Sequence, residues 1–346
     1  MSNQRPHSTR AWALARWLFA AVLIVAVALS GRLSGLMNRA GLFYIVLGSV
    51  AAAFMGFTGR EIAAAFRHAA GAGGTVADRA RSAHFWEAAA RNAWILGALG
   101  SALNFTIVLS TGSEEIAGVA VRMIQAFLVM LYGLVLAVVC LIPATKLAGG
   151  SGGTIDPLEM RPAEAGPAGL GVRAWPLDRT IGYILFASVL ALNVVVLIAG
   201  RPMSGPLPIG KTLLYWPAIL VVVGGSVALA LFMGPGGGAK AWTLGFAMTG
   251  FIALLTGLIQ ALFGIVHRDI AEVAAACAFI ISASSFSLLG LVAVAGPLED
   301  REVMEGRREG PAPLSRLFWA AFPLIAYIFL ILTFIMVVTP MTKPAG

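Results

Sequence analysis

The sequence predicts an all-α, polytopic transmembrane protein of about nine spans, organised as two parallel four-helix repeats followed by a C-terminal helix. Three observations carry that prediction: scarcity of charge, the length of the apolar runs and an internal duplication. Of 346 residues, 59% are hydrophobic and only 12% charged. A soluble domain carries roughly a quarter charged residues, so most of this chain's surface must face lipid.

A helix that crosses a bilayer needs about 20 apolar residues. Such runs lie at 15–33, 41–58, 93–110, 117–143, 181–199, 212–233, 242–266, 270–296 and 317–339. They are continuous and do not alternate with period two, which excludes a membrane β-barrel. With the N-terminus inside, 17 Lys and Arg fall on the cytoplasmic side and six on the other, while Arg122 lies within a span. That asymmetry follows the positive-inside rule and predicts N-in, C-out for nine spans. The net charge of +8 therefore reads as topology. The expected partner is the lipid bilayer and not a nucleic acid.

The duplication is legible segment by segment. Residues 116–143 lie without gaps over 270–297, with Leu134 over Leu288, Val138 over Val292 and Pro143 over Pro297. LFAAVL at 18–23 matches LFASVL at 185–190, each followed by a Gly-Arg pair, Gly31-Arg32 and Gly200-Arg201. GSVAAAFMG at 48–56 matches GSVALALFMG at 225–234 with one insertion, and Gly100 pairs with Gly257. Four collinear matches over four helices predict a parallel repeat, because an even number of spans restores the orientation. The basic residues Arg10 and Arg16 make the first span look like a signal peptide. As the fifth span copies it, the first is expected to be retained.

The units are then a first repeat at 1–147, a Gly/Pro-rich cytoplasmic linker at 148–178, a second repeat at 179–300, and a charged linker with the ninth span at 301–346. EDREVMEGRREGPAP at 299–313 supplies the charge of that second linker. Residues 59–69 and 78–91 are polar enough to carry helices out into the cytoplasm.

No Asp or Glu stands within the spans away from their ends. Intramembrane carboxylates mark coupled transport, so a transporter driven by its own acids is disfavoured. No HExxH, paired-carboxylate or Walker pattern occurs. No enzyme activity, metal or cofactor is expected, and Cys140 and Cys277 read as small buried side chains.

Polar residues concentrate in the third and fourth helices of each unit. Ser101, Asn104 and Thr106 lie in the third span and Thr256 and Gln260 on one face of the seventh. Ser282, Ser284, Ser285 and Ser287 surround Phe286 in the eighth. They either let helices approach and hydrogen-bond or line a hydrated ion path. Arg122 either snorkels to the interface or stands at the mouth of that path. Its aligned partner is Ala276. Gly97, Gly100, Gly257, Pro143 and Pro297 are helix-packing candidates, the two prolines standing at the inner ends of the fourth and eighth spans.

In the fourth span Ala126-Phe127, Tyr132-Gly133, Ala137, Pro143 and Lys146-Leu147 stand in an order that resembles the last helix of the MotA/TolQ/ExbB proton-channel family. Gly97, Gly100 and Ser101 are similarly placed to that family's penultimate helix, and 44–57 is similar to the second helix of its four-helix stator members. The resemblance covers most of 15–147 and, more weakly, 181–301. It implies a subunit of the bacterial cell inner membrane that forms a homo-oligomer around a single-span partner, and that partner supplies the intramembrane aspartate. Tyr132 and Gly133 then join the polar residues as ion-path or partner-helix contacts. Two departures stand out. Met130 or Leu131 occupies the place of the family's hydroxyl residue, which Ser284 or Ser285 fills in the second unit. The loop between the second and third spans has about 34 residues, short for a torque-generating stator. The expected function is a subunit of a proton-motive-force-driven complex. The alternatives are a non-conducting structural or assembly protein and a small-molecule transporter.

Overall fold

The computed structural model describes residues 38–111, 116–149, 177–198, 214–233, 238–267, 269–305, 321–329 and 331–332. The predicted first span and residues 150–176 of the first linker lie outside that set. All regular structure among the described residues is helical, as the unbroken apolar runs require.

The helix α1 (Arg39–Gly56) is opened by Asn38, whose Oδ1 accepts from Gly41 N at 3.0 Å. It stops where Phe57 turns extended. Thr58 then caps α2 (Gly59–Ala69) in a reciprocal box with Glu61. The 36-residue α3 (Val76–Thr111) joins a polar first half to the apolar run predicted at 93–110. Helical extensions beyond the second and third spans were expected, and α2 and the first half of α3 supply them. The fourth to sixth helices are α4 (Ile116–Gly149), α5 (Leu177–Ile198) and α6. The last is built from Trp216–Ile219, a π-helical turn Leu220–Gly224, and Gly225–Met233. After α7 (Gly238–His267), α8 runs through Ile270–Gly290, a π-helical turn Leu291–Ala295, and Gly296–Met304. Residues 321–329, in the predicted ninth span, are also helical.

Five of the described helical segments are long and apolar enough to cross a membrane: Arg39–Gly56, Ile124–Leu147, Leu177–Val195, Gly238–His267 and Glu272–Met304. Large apolar side chains such as Phe43, Ile184, Leu192 and Val266 stand 60–76% exposed. Bilayer lipid is the solvent that makes such a surface stable, so the chain is a multi-pass, membrane-embedded helical protein.

Three expectations are corrected. Pro143 does not end its helix, because α4 continues to Gly149. The hydroxyl of Thr145 donates to the carbonyls of Leu141 and Ile142, both at 2.9 Å, and so satisfies backbone acceptors beside the proline. Pro297 also lies inside a continuous helix. A proline has no N–H to give the carbonyl four residues earlier, here that of Ala293. The Tyr183 hydroxyl donates to that carbonyl at 3.0 Å, and the π-turn just before the proline widens the coil. The charged stretch from 299 does not begin as a linker either. Its first residues are the last turns of α8, and Glu299 and Asp300 are buried.

Packing organises these helices into two sets. α1, α3 and α4 contact one another, and so do α6, α7 and α8, while α1–α5 and α3–α8 contacts tie the sets together. One buried cluster runs through all of them, including Ile45, Leu96, Met130, Phe186, Val222 and Leu254. In lipid, helix association depends on close fit more than on apolar burial. The α3–α4 seam provides it through two glycines. A Cβ on Gly133 would lie 2.7 Å from both the Ala93 carbonyl oxygen and the Gly97 Cα.

Candidate functional site

Three polar zones sit in this scaffold. The first is the interior hydroxyl and amide set. Ser101, Asn104 and Thr106 on α3 and Ser284 and Ser285 on α8 are all buried. Asn104 Nδ2 donates to the Gly100 carbonyl at 2.8 Å, Thr106 to Ala102 at 3.0 Å and Ser284 to Ile280 at 2.8 Å. Each spends its polarity on its own helix, one turn back. The hydroxyls of Ser101, Ser285 and Ser287 are enclosed without a hydrogen-bond partner among the described residues. Because α3 packs on α8, the interior between the two sets retains acceptor and donor capacity that an ordered water would satisfy.

The second zone is on the outside. Thr256 and Gln260 occupy an exposed face of α7, among Ile252, Ile259 and Phe263. Thr256 donates to the Ile252 carbonyl at 2.9 Å. No described residue hydrogen-bonds the Gln260 amide. These two residues are therefore not brought together with the buried set.

Tyr132 and Gly133 play structural parts. The backbone N of Asn38 donates to the Tyr132 hydroxyl at 3.0 Å, which fastens α4 to the start of α1. Gly133 lies in the seam with Gly97. Gly100 faces Tyr44 and Val129, and Gly257 faces Ile280, with no room for a Cβ at either. The backbone of Arg122 is part of α4, and its side chain lies outside the described set.

The third zone escaped sequence reasoning. At one end of the bundle, where the end of α1, the first half of α3 and the last turns of α8 meet, two carboxylates are enclosed. Glu299 is 0% and Asp300 1% exposed. Arg91 Nη2 donates to both Asp300 oxygens at 2.9 and 2.8 Å, Arg91 Nη1 lies 3.7 Å from Glu299 Oε2, and His84 Nε2 lies 3.2 Å from Asp300 Oδ1. The helix end at Gly56 closes the site so tightly that a Cβ there would meet Asp300 Oδ2 at 2.9 Å. The signal that pointed to it was two adjacent acids directly after an apolar span. Their partners, about 209 positions away, carry no local mark.

The same end is laced by caps from one helix to another. Asp178 on α5 accepts from Gly59 N at 2.9 Å, starting α2, and Glu302 on α8 accepts from Ala239 N at 2.8 Å, starting α7. Replacing Glu302 with alanine removes a cap and is expected to cost about 1 kcal/mol. The check is the unfolding midpoint of the purified chain, which must fall for Glu302→Ala and hold for Glu302→Gln, whose amide oxygen still accepts.

No group of three or more His, Cys, Asp or Glu among the described residues is arranged to hold a metal ion. The chain matches no family model, no curated protein and no solved structure.

Proposed function

We propose that this chain is the multi-pass subunit of a proton-motive-force-driven inner-membrane complex, built from two parallel four-helix repeats plus a ninth span. A single-span partner helix bearing a carboxylic acid packs on the outward face of α7. The observation that carries this reading is Gln260, an exposed amide with no hydrogen-bond partner among the described residues, on a 30-residue apolar helix. An amide facing hydrocarbon costs free energy until another helix bonds it. Thr256, one turn away, presents a second oxygen to the same visitor. The duplication is supported by the matched contacts within α1, α3, α4 and within α6, α7, α8, and by prolines that lie inside continuing helices at aligned positions 143 and 297.

The test is affinity purification of the full chain from native membrane, followed by identification of co-purifying single-span proteins. Gln260→Leu with Thr256→Val is expected to weaken retention of the partner about three- to tenfold, the worth of one or two interhelical hydrogen bonds. Recovery of the wild-type chain alone, or equal retention by the double variant, refutes the reading.

A second reading is a non-conducting structural protein. It is favoured by the burial of Ser101, Asn104, Thr106 and Ser284 in the chain's own core, with three of the four bonded to their own helix. Under it, Ser101→Ala leaves every function intact while glycine substitutions at 97 or 133 abolish it.

A further inference from the structure

The α2–α3 hairpin carries a groove of about 190 Å³, lined by Arg60, Glu61, His68, Asp78, Arg81 and Ser82, with Met304 at its α8 side. The groove opens immediately after a candidate span, since α1 ends at Gly56 and α2 begins at Gly59.

Its charges are unequally engaged. The carboxylate of Glu61 accepts from the backbone N of Thr58 at 2.7 Å and from its hydroxyl at 3.0 Å. The carboxylate of Asp78 accepts from the hydroxyl of Thr75 at 2.7 Å and from its N at 3.2 Å. Both acids are thus spent on helix N-termini, where the helix dipole also offsets them. The Thr75 hydroxyl holds the Asp78 carboxyl below the usual carboxylate range. Arg60 and Arg81 are exposed and make no hydrogen bond or ion pair among the described residues. Arg67 is also exposed nearby, Arg79 reaches the Gly74 carbonyl, and Lys146 caps the Ala69 carbonyl at 3.2 Å. His68 Nδ1 pairs with Ser82 Oγ at 2.7 Å. The hairpin therefore presents a surplus of guanidinium groups at the level where a span leaves the bilayer. Phe66 beside it is 55% exposed.

We propose that this groove binds the phosphate of an anionic membrane lipid, with Arg60 and Arg81 gripping the headgroup and Phe66 lying against its acyl region. Guanidinium forks match phosphate oxygens in pairs. Basic pockets at span ends draw anionic headgroups by the same physics. The site is separate from the α7 face, so it stands or falls independently of the partner helix.

The experiment uses the full chain in neutral detergent and follows its unfolding midpoint as phosphatidylglycerol, phosphatidylcholine or inorganic phosphate is added. Phosphatidylglycerol raises the midpoint of the wild type and phosphatidylcholine does not. Arg60→Gln with Arg81→Gln keeps the starting midpoint but needs about tenfold more phosphatidylglycerol for the same rise. Lys240→Gln, at an exposed cation on α7, responds as the wild type does. An equal rise with phosphatidylcholine, or an undiminished response in the double arginine variant, overturns the proposal. A full rise with inorganic phosphate alone overturns the lipid assignment.

Discussion

Arg91→Met is expected to destabilise the protein by about 3–5 kcal/mol, the cost of leaving a buried carboxylate without its partner. The guanidinium is 10% exposed and touches both oxygens of Asp300, with Glu299 within 3.7 Å. Its removal leaves two enclosed acids facing His84 and the end of α1, and neither acid can recover hydration without opening the α3–α8 junction. The loss shrinks when the acids go too. Arg91→Met with Glu299→Gln and Asp300→Asn restores most of the loss, because a neutral site of similar volume needs no counter-ion. Arg91→Lys falls between, since it keeps the charge but not the planar fork. The measurement is reversible unfolding of the full chain in detergent. A loss below about 1 kcal/mol for Arg91→Met would place the pair in the class of solvated surface bridges and refute the enclosed geometry.

Gly133→Leu is expected to prevent the protein from accumulating in folded form, and Gly133→Ala to cost about 1–3 kcal/mol. A Cβ at this position would stand 2.7 Å from the Ala93 oxygen and from the Gly97 Cα. Both obstacles are backbone, so no side-chain rotation relieves them and the α3–α4 seam must part. That seam joins the two helices that also hold Ser101, Asn104 and Tyr132, so any function of these residues fails with it. Gly224→Ala is the control. Its new methyl would meet only a Leu220 side-chain carbon at 3.8 Å. The readout is the monodisperse yield of each variant and its unfolding midpoint. Equal yields for Gly133→Leu and the control would sink the close-seam account.

The two outcomes test different links in the chain from sequence to fold. Gly97 and Gly133 were visible beforehand as small residues in apolar helices, and Gly97 was already a packing candidate. The resemblance groups Gly133 with the ion-path residues, whereas in the structure its missing side chain is what lets α3 and α4 approach. Thr256 and Gln260 were placed on one helix face by their spacing alone. Spacing cannot say which way a face turns, and here the neighbours of α7 turn it outward. For Ser101 and Asn104 the opposite holds, because the packing of α3 on α8 encloses them.

By itself, the sequence determined the class of solvent and the kind of secondary structure. Runs of apolar residues longer than a bilayer is thick can satisfy their backbone only as helices, and that constraint is local to each run. It also located where helices would extend past the apolar runs, since 59–69 and 78–91 are polar stretches that directly adjoin them. Tertiary structure alone decided what lies far apart in the chain. Arg91 and Asp300 are joined because two helix ends meet, and the α8 helix passes Pro297 because Tyr183 from α5 takes up the carbonyl of Ala293. Neither pairing leaves a periodic trace, because a charge or a proline records its own needs in the sequence but not the identity of the residue that meets them.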